Sequence, residues 1–441
     1  MWFVFLVLGL SQILLGKASP FYTDVNGALE KDEYLHSLKH SKEEIRAVRR
    51  ILNITLENDD AADEYLSVSE LITKYGYPVE EHFVETKDGY ILKMHRIPPT
   101  KQGIKPCNRT VFLMHGLLTS SADWIIMGPD KSIAYHLANL GYDVWMGNSR
   151  GNTESRNHTK WSPNELKFWK FSWHEIGTKD VPAMIDYILD TTKQKALYHI
   201  GHSQGTTSFY VMCSELPEYN DKIIAHYSLA PVAYMTHAYS PLIRFISKFT
   251  GVVETLINML GIGEFLPKSP LITFLGNSFC QAGELTEVLC KDFIFILVGF
   301  DQSEFDVEGL PIYLGHTPAG SSAMQMLHYL QLFNSGGFHQ YDYSPFNALH
   351  YGPSHILSPP VYDLNKITTP VHLFHSKNDW FSNVEDVHRL CSELGNCASK
   401  TLVSEEKFNH MDFTVGLRAK EIVYKLVTDD IEKHATHETF V

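Results

Sequence analysis

Ser203 lies in Gly201-His202-Ser203-Gln204-Gly205, a G-x-S-x-G run. A serine hydroxyl is a weak nucleophile at neutral pH. It attacks a carbonyl only when a base takes its proton and an acid holds that base in place. Two glycines around one serine serve this chemistry where a strand turns sharply into a helix. The tight turn lifts the hydroxyl clear of the backbone, and the glycines let strand and helix approach. The run alone is short enough to arise by chance, so its setting decides. The apolar strand-like "ALYHIG" precedes it and helix-forming residues follow in "TTSFYVM".

The partners follow from chain order, which for such a strand-turn-helix serine is Ser, then Asp or Glu, then His. "VHLFHSKND" is a strand running into a turn, with Asp379 just past it, and "TLVSEEKFNHMDF" is a strand and loop carrying His410. Asp386 and Glu385 are nearby acids but fall in an expected helix, as does His388, while His372 and His375 lie within a strand. The oxyanion formed during acyl transfer needs two backbone N–H donors. One is expected from Gln204, which follows the nucleophile, and the other from Leu117, after the strand "VFLM" and the turn His115-Gly116. Alone, His115 reads as a packed histidine and Gly116 as a turn residue; beside Ser203 they read as the oxyanion loop. Neither a zinc-binding H-E-x-x-H nor a phosphate or dinucleotide fingerprint occurs, so no metal and no cofactor is expected.

The elements needed to hold these residues recur along the chain. "EEHFVETKDGYILKMHRIP" alternates around Asp88-Gly89 and predicts a β-hairpin. Then "TVFLMHG", "DVWMGNSRG", "ALYHIG" and "IIAHYSLAP" read as short apolar strands, interleaved with the helical patterns "SIAYHLANLGY" and "DVPAMIDYILDTT". Such alternation predicts an α/β fold with a mostly parallel sheet and helices on both faces. After Pro231 the rhythm stops and apolar, helix-spaced segments follow, until strands resume at "TTPVHLFHSKND". The interruption predicts an inserted, largely helical cap over residues 232–367.

The chain has 441 residues and a net charge of −14, which excludes the basic footprint of a nucleic-acid binder. Residues 1–18 ("MWFVFLVLGLSQILLGKA") are apolar and end in small residues, as a cleaved secretory signal does. They are too short to span a bilayer comfortably, and no later apolar run reaches spanning length, so no transmembrane span is expected after signal removal. Residues 19–66 are polar and read as an N-terminal extension, with a propeptide as the alternative, ahead of a catalytic domain over 67–441. Secretion gives meaning to the sequons at Asn53, Asn108 and Asn157 as glycan sites. It also makes disulfides available to the close pairs Cys280 with Cys290 and Cys391 with Cys397, leaving Cys107 and Cys213, the latter as a buried thiol.

Seven segments together, "HGLLTSSADWI", "GYDVWMGNSRGN", "GHSQGTTSFY", "LAPVA", "HTPAGSSAMQMLHY", "SKNDWFSNVEDV" and "FNHMDF", closely resemble the acid lipases, the gastric and lysosomal enzymes and their insect relatives. The resemblance runs from Ser67 to Val427. It implies an α/β-hydrolase fold with cap and lid, and hydrolysis of triacylglycerols or cholesteryl esters. It names Ser203 as nucleophile, Asp379 as acid, His410 as base, and Leu117 and Gln204 as oxyanion donors. It also implies a Cys280–Cys290 disulfide in the cap. Family members carry a further cysteine where this chain has Val298, and residues 19–66 have no clear counterpart. The expected function is a secreted serine lipase, with the lysosome as alternative destination, acting at a lipid-water interface. A carboxylesterase on soluble esters shares the chemistry, and a non-catalytic lipid-binding protein shares the fold.

Overall fold

The computed structural model describes residues 63–101, 103–268, 299, 301, 303, 304, 306 and 309–438. The signal and most of the extension, Asn53, Cys280, Cys290 and Val298 lie outside them. The main sheet is built from β1 (Glu80–Glu85), β2 (Tyr90–Ile97), β3 (Thr110–Met114), β4 (Asp143–Met146), β5 (Asn157–His158), β6 (Leu197–His202) and β7 (Ile223–Leu229). After β8 (Glu264–Phe265) and β9 (Ser321–Ser322), which pair only with each other, β10 (Val371–His375) and β11 (Cys397–Leu402) complete it. Strand order is β1-β2-β4-β3-β6-β7-β10-β11, with β5 paired to β2. β1 and β2 form the expected antiparallel hairpin, and pairing from β4 through β11 is parallel.

Burial explains the sequence character of each strand. Every residue of β3, β4, β6 and β10 is buried, which is why these segments are almost continuously apolar. β1 and β11, at the two edges, alternate instead. Side chains leave a strand on alternate faces, so Phe112 and Met114 enter one core with Met184, Phe209 and Leu373, while Val111 and Leu113 enter the other with Ile200, Tyr227 and Val427. Each face is covered by amphipathic helices. α1 (Val181–Thr192) buries Val181, Met184, Ile185, Ile188 and Leu189, the 3- and 4-residue spacing of one helix face, with Pro182 in its first turn.

The chain runs from β3 outward to β4, then returns to the other side of β3 as β6. Connections therefore leave the β3–β6 pair in opposite directions, and a crevice opens at the strands' carboxyl ends. At that place β6 passes into α2 (Gln204–Glu215) through Ser203, whose φ of 51° and ψ of −115° lie where only a constrained turn holds a residue with a side chain. Glycines make the constraint tolerable. A Cβ on Gly201 would sit 2.7 Å from the carbonyl carbon of Gly205, and one on Gly205 would sit 2.0 Å from the Met114 carbonyl oxygen. Helix α2 thus rests on the end of β3 with no room for a methyl group.

Between β7 and β10 the described residues add no strand to the main sheet. They form α3 (Pro241–Ser247), α4 (Thr250–Leu260), α5 (Leu310–His316) and α6 (Ala323–Ser335). Leu327, Leu330 and Tyr341 make a small third core with Ile243, Ile246, Val253 and Ile257. α6 reaches α2 through Tyr329, which donates to the Thr207 hydroxyl at 3.0 Å, and its His328 stacks on Trp173 of the chain before α1 with ring centroids 3.7 Å apart. α5 packs on the short turn Asp63–Tyr65, so the last residues of the N-terminal extension touch the domain. Cys391 is bonded to Cys397, joining α7 (Val384–Glu393) to the start of β11, while Cys107 and the buried Cys213 are free thiols.

One buried acid gives the fold a pH dependence. Asp123 is 3% exposed, its Oδ1 has no partner, and burial pushes its carboxyl up to about 7 against a smaller opposing pull from the Thr119 hydroxyl. A carboxyl raised above its unfolded value stabilises fully below the unfolded pKa and loses that contribution as pH rises to the folded one. The Asp123→Asn protein is therefore expected to gain on wild type between pH 5 and pH 7.5, by on the order of 2 kcal/mol. Urea unfolding at the two pH values checks it, and parallel shifts of both proteins would rule it out. Gly205→Ala is expected to destabilise by about 3 kcal/mol, because backbone on both sides must move; an unchanged urea midpoint would show that the contact is slack.

Candidate active site

All five residues expected to carry the chemistry sit at the carboxyl edge of the sheet. Ser203 follows β6, Leu117 follows β3, Asp379 follows β10, His410 follows β11, and Gln204 opens α2. His410 bridges the other two side chains: its Nδ1 is 2.8 Å and 3.0 Å from the carboxylate oxygens of Asp379, and its Nε2 is 2.8 Å from Ser203 Oγ. Asp379 and His410 are buried, and Ser203 is partly exposed, so the hydroxyl faces an accessible space while its partners do not.

Each member is held by its own loop. Asp379 Oδ1 accepts the N–H groups of Phe381 at 2.9 Å and Ser382 at 2.8 Å, and the Ser382 hydroxyl donates to Pro231 O beyond β7. The His410 loop is closed by Asn409, whose Oδ1 accepts from Met411 N–H and Asp412 N–H, while Asp412 Oδ2 accepts from Asn409 N–H at 2.6 Å. Phe381 packs its edge against the His410 ring. With Nδ1 facing a carboxylate, the neutral imidazole keeps its proton there and turns Nε2 toward the serine as acceptor.

The two residues expected to donate to an oxyanion lie close to Ser203, Gln204 next in the chain and Leu117 next to Gly116. Gln204 is the first residue of α2, and its N–H is one of those that a helix leaves unpaired at its N-terminus. Gly116 lies against the serine: a Cβ there would come 3.3 Å from Ser203 Cβ and 3.1 Å from His202 Nδ1. The next N–H is that of Leu117. This arrangement can take a proton from Ser203, hold a tetrahedral carbonyl carbon beside it and stabilise the oxygen's charge.

None of the rivals is hydrogen-bonded to Ser203 among the described residues. Asp386 accepts from His237 N–H and pairs with its ring, and His372 Nδ1 lies 2.9 Å from Ser399 Oγ. His375 is buried in β10. One contributor was missed by sequence reasoning. Burial holds His202 down to about 3, so it is neutral, and its Nε2–H donates to the backbone carbonyl of His410 at 2.9 Å. Its only signal was its place inside G-x-S-x-G, where any residue fits the motif.

Comparisons with known proteins show the family and the fold. Residues 68–128 match a family model for a partial alpha/beta-hydrolase lipase region, and residues 109–245 match one for the alpha/beta hydrolase fold. Lipase 1 of Drosophila melanogaster is 45% identical over 365 residues, covering 82% of this chain and 79% of that protein. Gastric triacylglycerol lipase of Rattus norvegicus is 39% identical over 366 residues, covering 81% and 90%. A solved structure from Sulfolobus solfataricus shares the fold at 15% identity, with a TM-score of 0.54 over 80% of this chain and 93% of that one. The chain belongs to the acid lipase family of α/β-hydrolases.

Proposed function

We propose that the protein hydrolyses neutral lipid esters, triacylglycerol or cholesteryl ester, through an acyl-enzyme formed on Ser203. The observation that carries this is the unbroken chain Ser203–His410–Asp379. Ser203 Oγ attacks the ester carbonyl carbon as His410 Nε2 takes its proton. The N–H groups of Leu117 and Gln204 stabilise the oxyanion. As the tetrahedral intermediate collapses, His410 returns the proton to the departing alcohol, and Asp379 stabilises the transient imidazolium. Water, deprotonated by the same imidazole, then releases the fatty acid and restores Ser203. The membership in a lipase family supports the reading, as does the name of the rat gastric relative.

Residues 232–367 are proposed as the cap that separates a lipase from an esterase on soluble substrates. Phe245 on α3, Phe249 between the helices, and Val252, Leu256 and Met259 on α4 are exposed, and Met259 is 78% exposed. Val252, Leu256 and Met259 follow helical spacing, so α4 presents one apolar face to its own core through Val253 and Ile257 and another outward. Such a patch fits contact with a lipid-water interface. Secretion is proposed from residues 1–18. In the described residues no helix is long and apolar enough to cross a membrane, and the sequon residues Asn108 and Asn157 are exposed, as glycan carriers must be.

Fatty-acid release from emulsified trioleoylglycerol, with a soluble short-chain ester in parallel, tests the reading. Ser203→Ala is expected to lose about 10⁴-fold or more on both substrates, and Asp379→Asn about 10³-fold or more. Turnover of the emulsion that survives in Ser203→Ala would remove Ser203 from the mechanism. The double change Leu256→Asp with Met259→Asp is expected to lower emulsion hydrolysis roughly tenfold while the soluble ester is turned over within about twofold of wild type. Equal loss on both substrates would assign α4 to folding rather than to interface contact.

A further inference from the structure

We propose that His115 is a positioning residue of the oxyanion hole, fixing the peptide whose N–H is Leu117; the proposal rests on the reading of the site given above. The argument starts from the tautomer. His115 is buried, and three groups surround its Nε2: Ser149 N–H at 3.1 Å, the Asn152 side-chain amide at 3.2 Å and Ser149 Oγ at 3.3 Å. A backbone N–H and an amide NH₂ can only donate, so Nε2 accepts and the ring proton sits on Nδ1. Burial, which pushes the imidazole down to about 4, keeps the second proton off.

The Nδ1–H then donates to Gly116 O at 2.7 Å, and Thr119 Oγ1 lies 3.1 Å from the same oxygen. That carbonyl belongs to the peptide unit joining Gly116 to Leu117. The unit is planar and trans, so its C=O and N–H point in opposite directions. Pinning the oxygen on the His115 side aims the Leu117 N–H to the other side, where Gly116 lies against Ser203. Hydrogen bonding at the oxygen also polarises the amide and strengthens the N–H as a donor. An oxyanion donor works by being in place before charge develops. A peptide with a free carbonyl could swing, whereas this one is held by a ring that is itself held by the β4 loop.

Two substitutions separate positioning from packing. In His115→Asn the amide NH₂ replaces Nδ1–H and still reaches Gly116 O, but the partner of Ser149 N–H is lost. In His115→Gln the amide oxygen replaces Nε2 and keeps Ser149, but the donor to Gly116 O is lost. With a soluble short-chain ester, His115→Gln is expected to lose roughly 30-fold in kcat with KM within about threefold, and His115→Asn to stay within about fivefold of wild type. The rate of Ser203 phosphonylation by an alkyl p-nitrophenyl phosphonate, which also forms an oxyanion, is expected to follow the same order. Thermal stability is expected in the opposite order, with the Gln protein above the Asn protein. Equal kcat in the two variants, or kcat that follows Tm, would overturn the positioning role. Wild type and Ser203→Ala are assayed beside them. If wild type is active and Ser203→Ala is not, the reading of the site stands whichever way the His115 pair falls. A wild type with no ester hydrolysis would sink that reading and the positioning role together.

Discussion

The contact between α2 and the end of β3 is the constraint on which the rest of the site depends. Gly205 sits so close to Met114 O that no side chain fits between them. This close approach lets one residue, Ser203, turn the chain from strand to helix. The turn holds Ser203 at positive φ, an unfavourable conformation for a residue with a Cβ, and neighbouring structure must over-determine it. Ser203 N–H donates to Leu229 O in β7, and the Ser203 carbonyl accepts from Thr206 N–H and the Thr206 hydroxyl. The same Thr206 hydroxyl accepts from Val232 N–H. The serine backbone is thus tied to the strand behind it, to its own helix and to the chain entering the 232–367 segment.

The site contains three histidines, and the fold treats them differently. His202 and His115 are buried with no carboxylate hydrogen-bonded to either ring, and burial pushes both well below the ordinary imidazole range. Each spends its N–H on a backbone carbonyl, that of His410 in one case and that of Gly116 in the other. His410 instead faces a carboxylate on one side and a hydroxyl on the other. The difference lies in the partners and not in the residue type. An imidazole given a carboxylate can carry a transient positive charge; one given only carbonyl and amide partners orients backbone.

These differences explain what the sequence disclosed. The central strands and the position of Ser203 were readable because strands covered on both faces are rich in apolar residues and free of charged ones, as "TVFLM", "LYHIGH" and "VHLFH" are, whereas their spatial order was not. Asp379 was readable because it follows such a strand, and His410 because it lies in the loop after the last, alternating edge strand. His202 was not, since its role is set by a carbonyl more than two hundred positions away. His115 was readable only in part: its type and place fitted both a packed core residue and an oxyanion loop, and it is buried as well as bonded to the loop. The Cys391–Cys397 bond was one of two short pairings open to the chain. The packing of α3, α4 and α6 was beyond reach, because helical spacing identifies an apolar face without naming what the face meets.

The inserted segment also belongs to the oxyanion loop's support. Leu118 follows the donor Leu117 and lies at φ of 63°, a left-handed conformation that costs a branched residue roughly 1–2 kcal/mol. Its carbonyl accepts from Ala319 N–H at 2.6 Å, and Ala319 O accepts from Thr153 N–H at 2.8 Å. Ala319 comes from the stretch between α5 and β9, within the interruption of the sheet. The loop is therefore gripped from two directions, by His115 from beneath and by Ala319 from the insertion. A rigid donor needs both, because fixing one peptide leaves the next free to rotate. On this argument the 232–367 segment, besides the cap role proposed for it, braces the loop that carries Leu117. The stretch around Ala319 holds the backbone next to the Leu117 N–H, so the support of this loop comes from residues far along the chain as well as from its own neighbours.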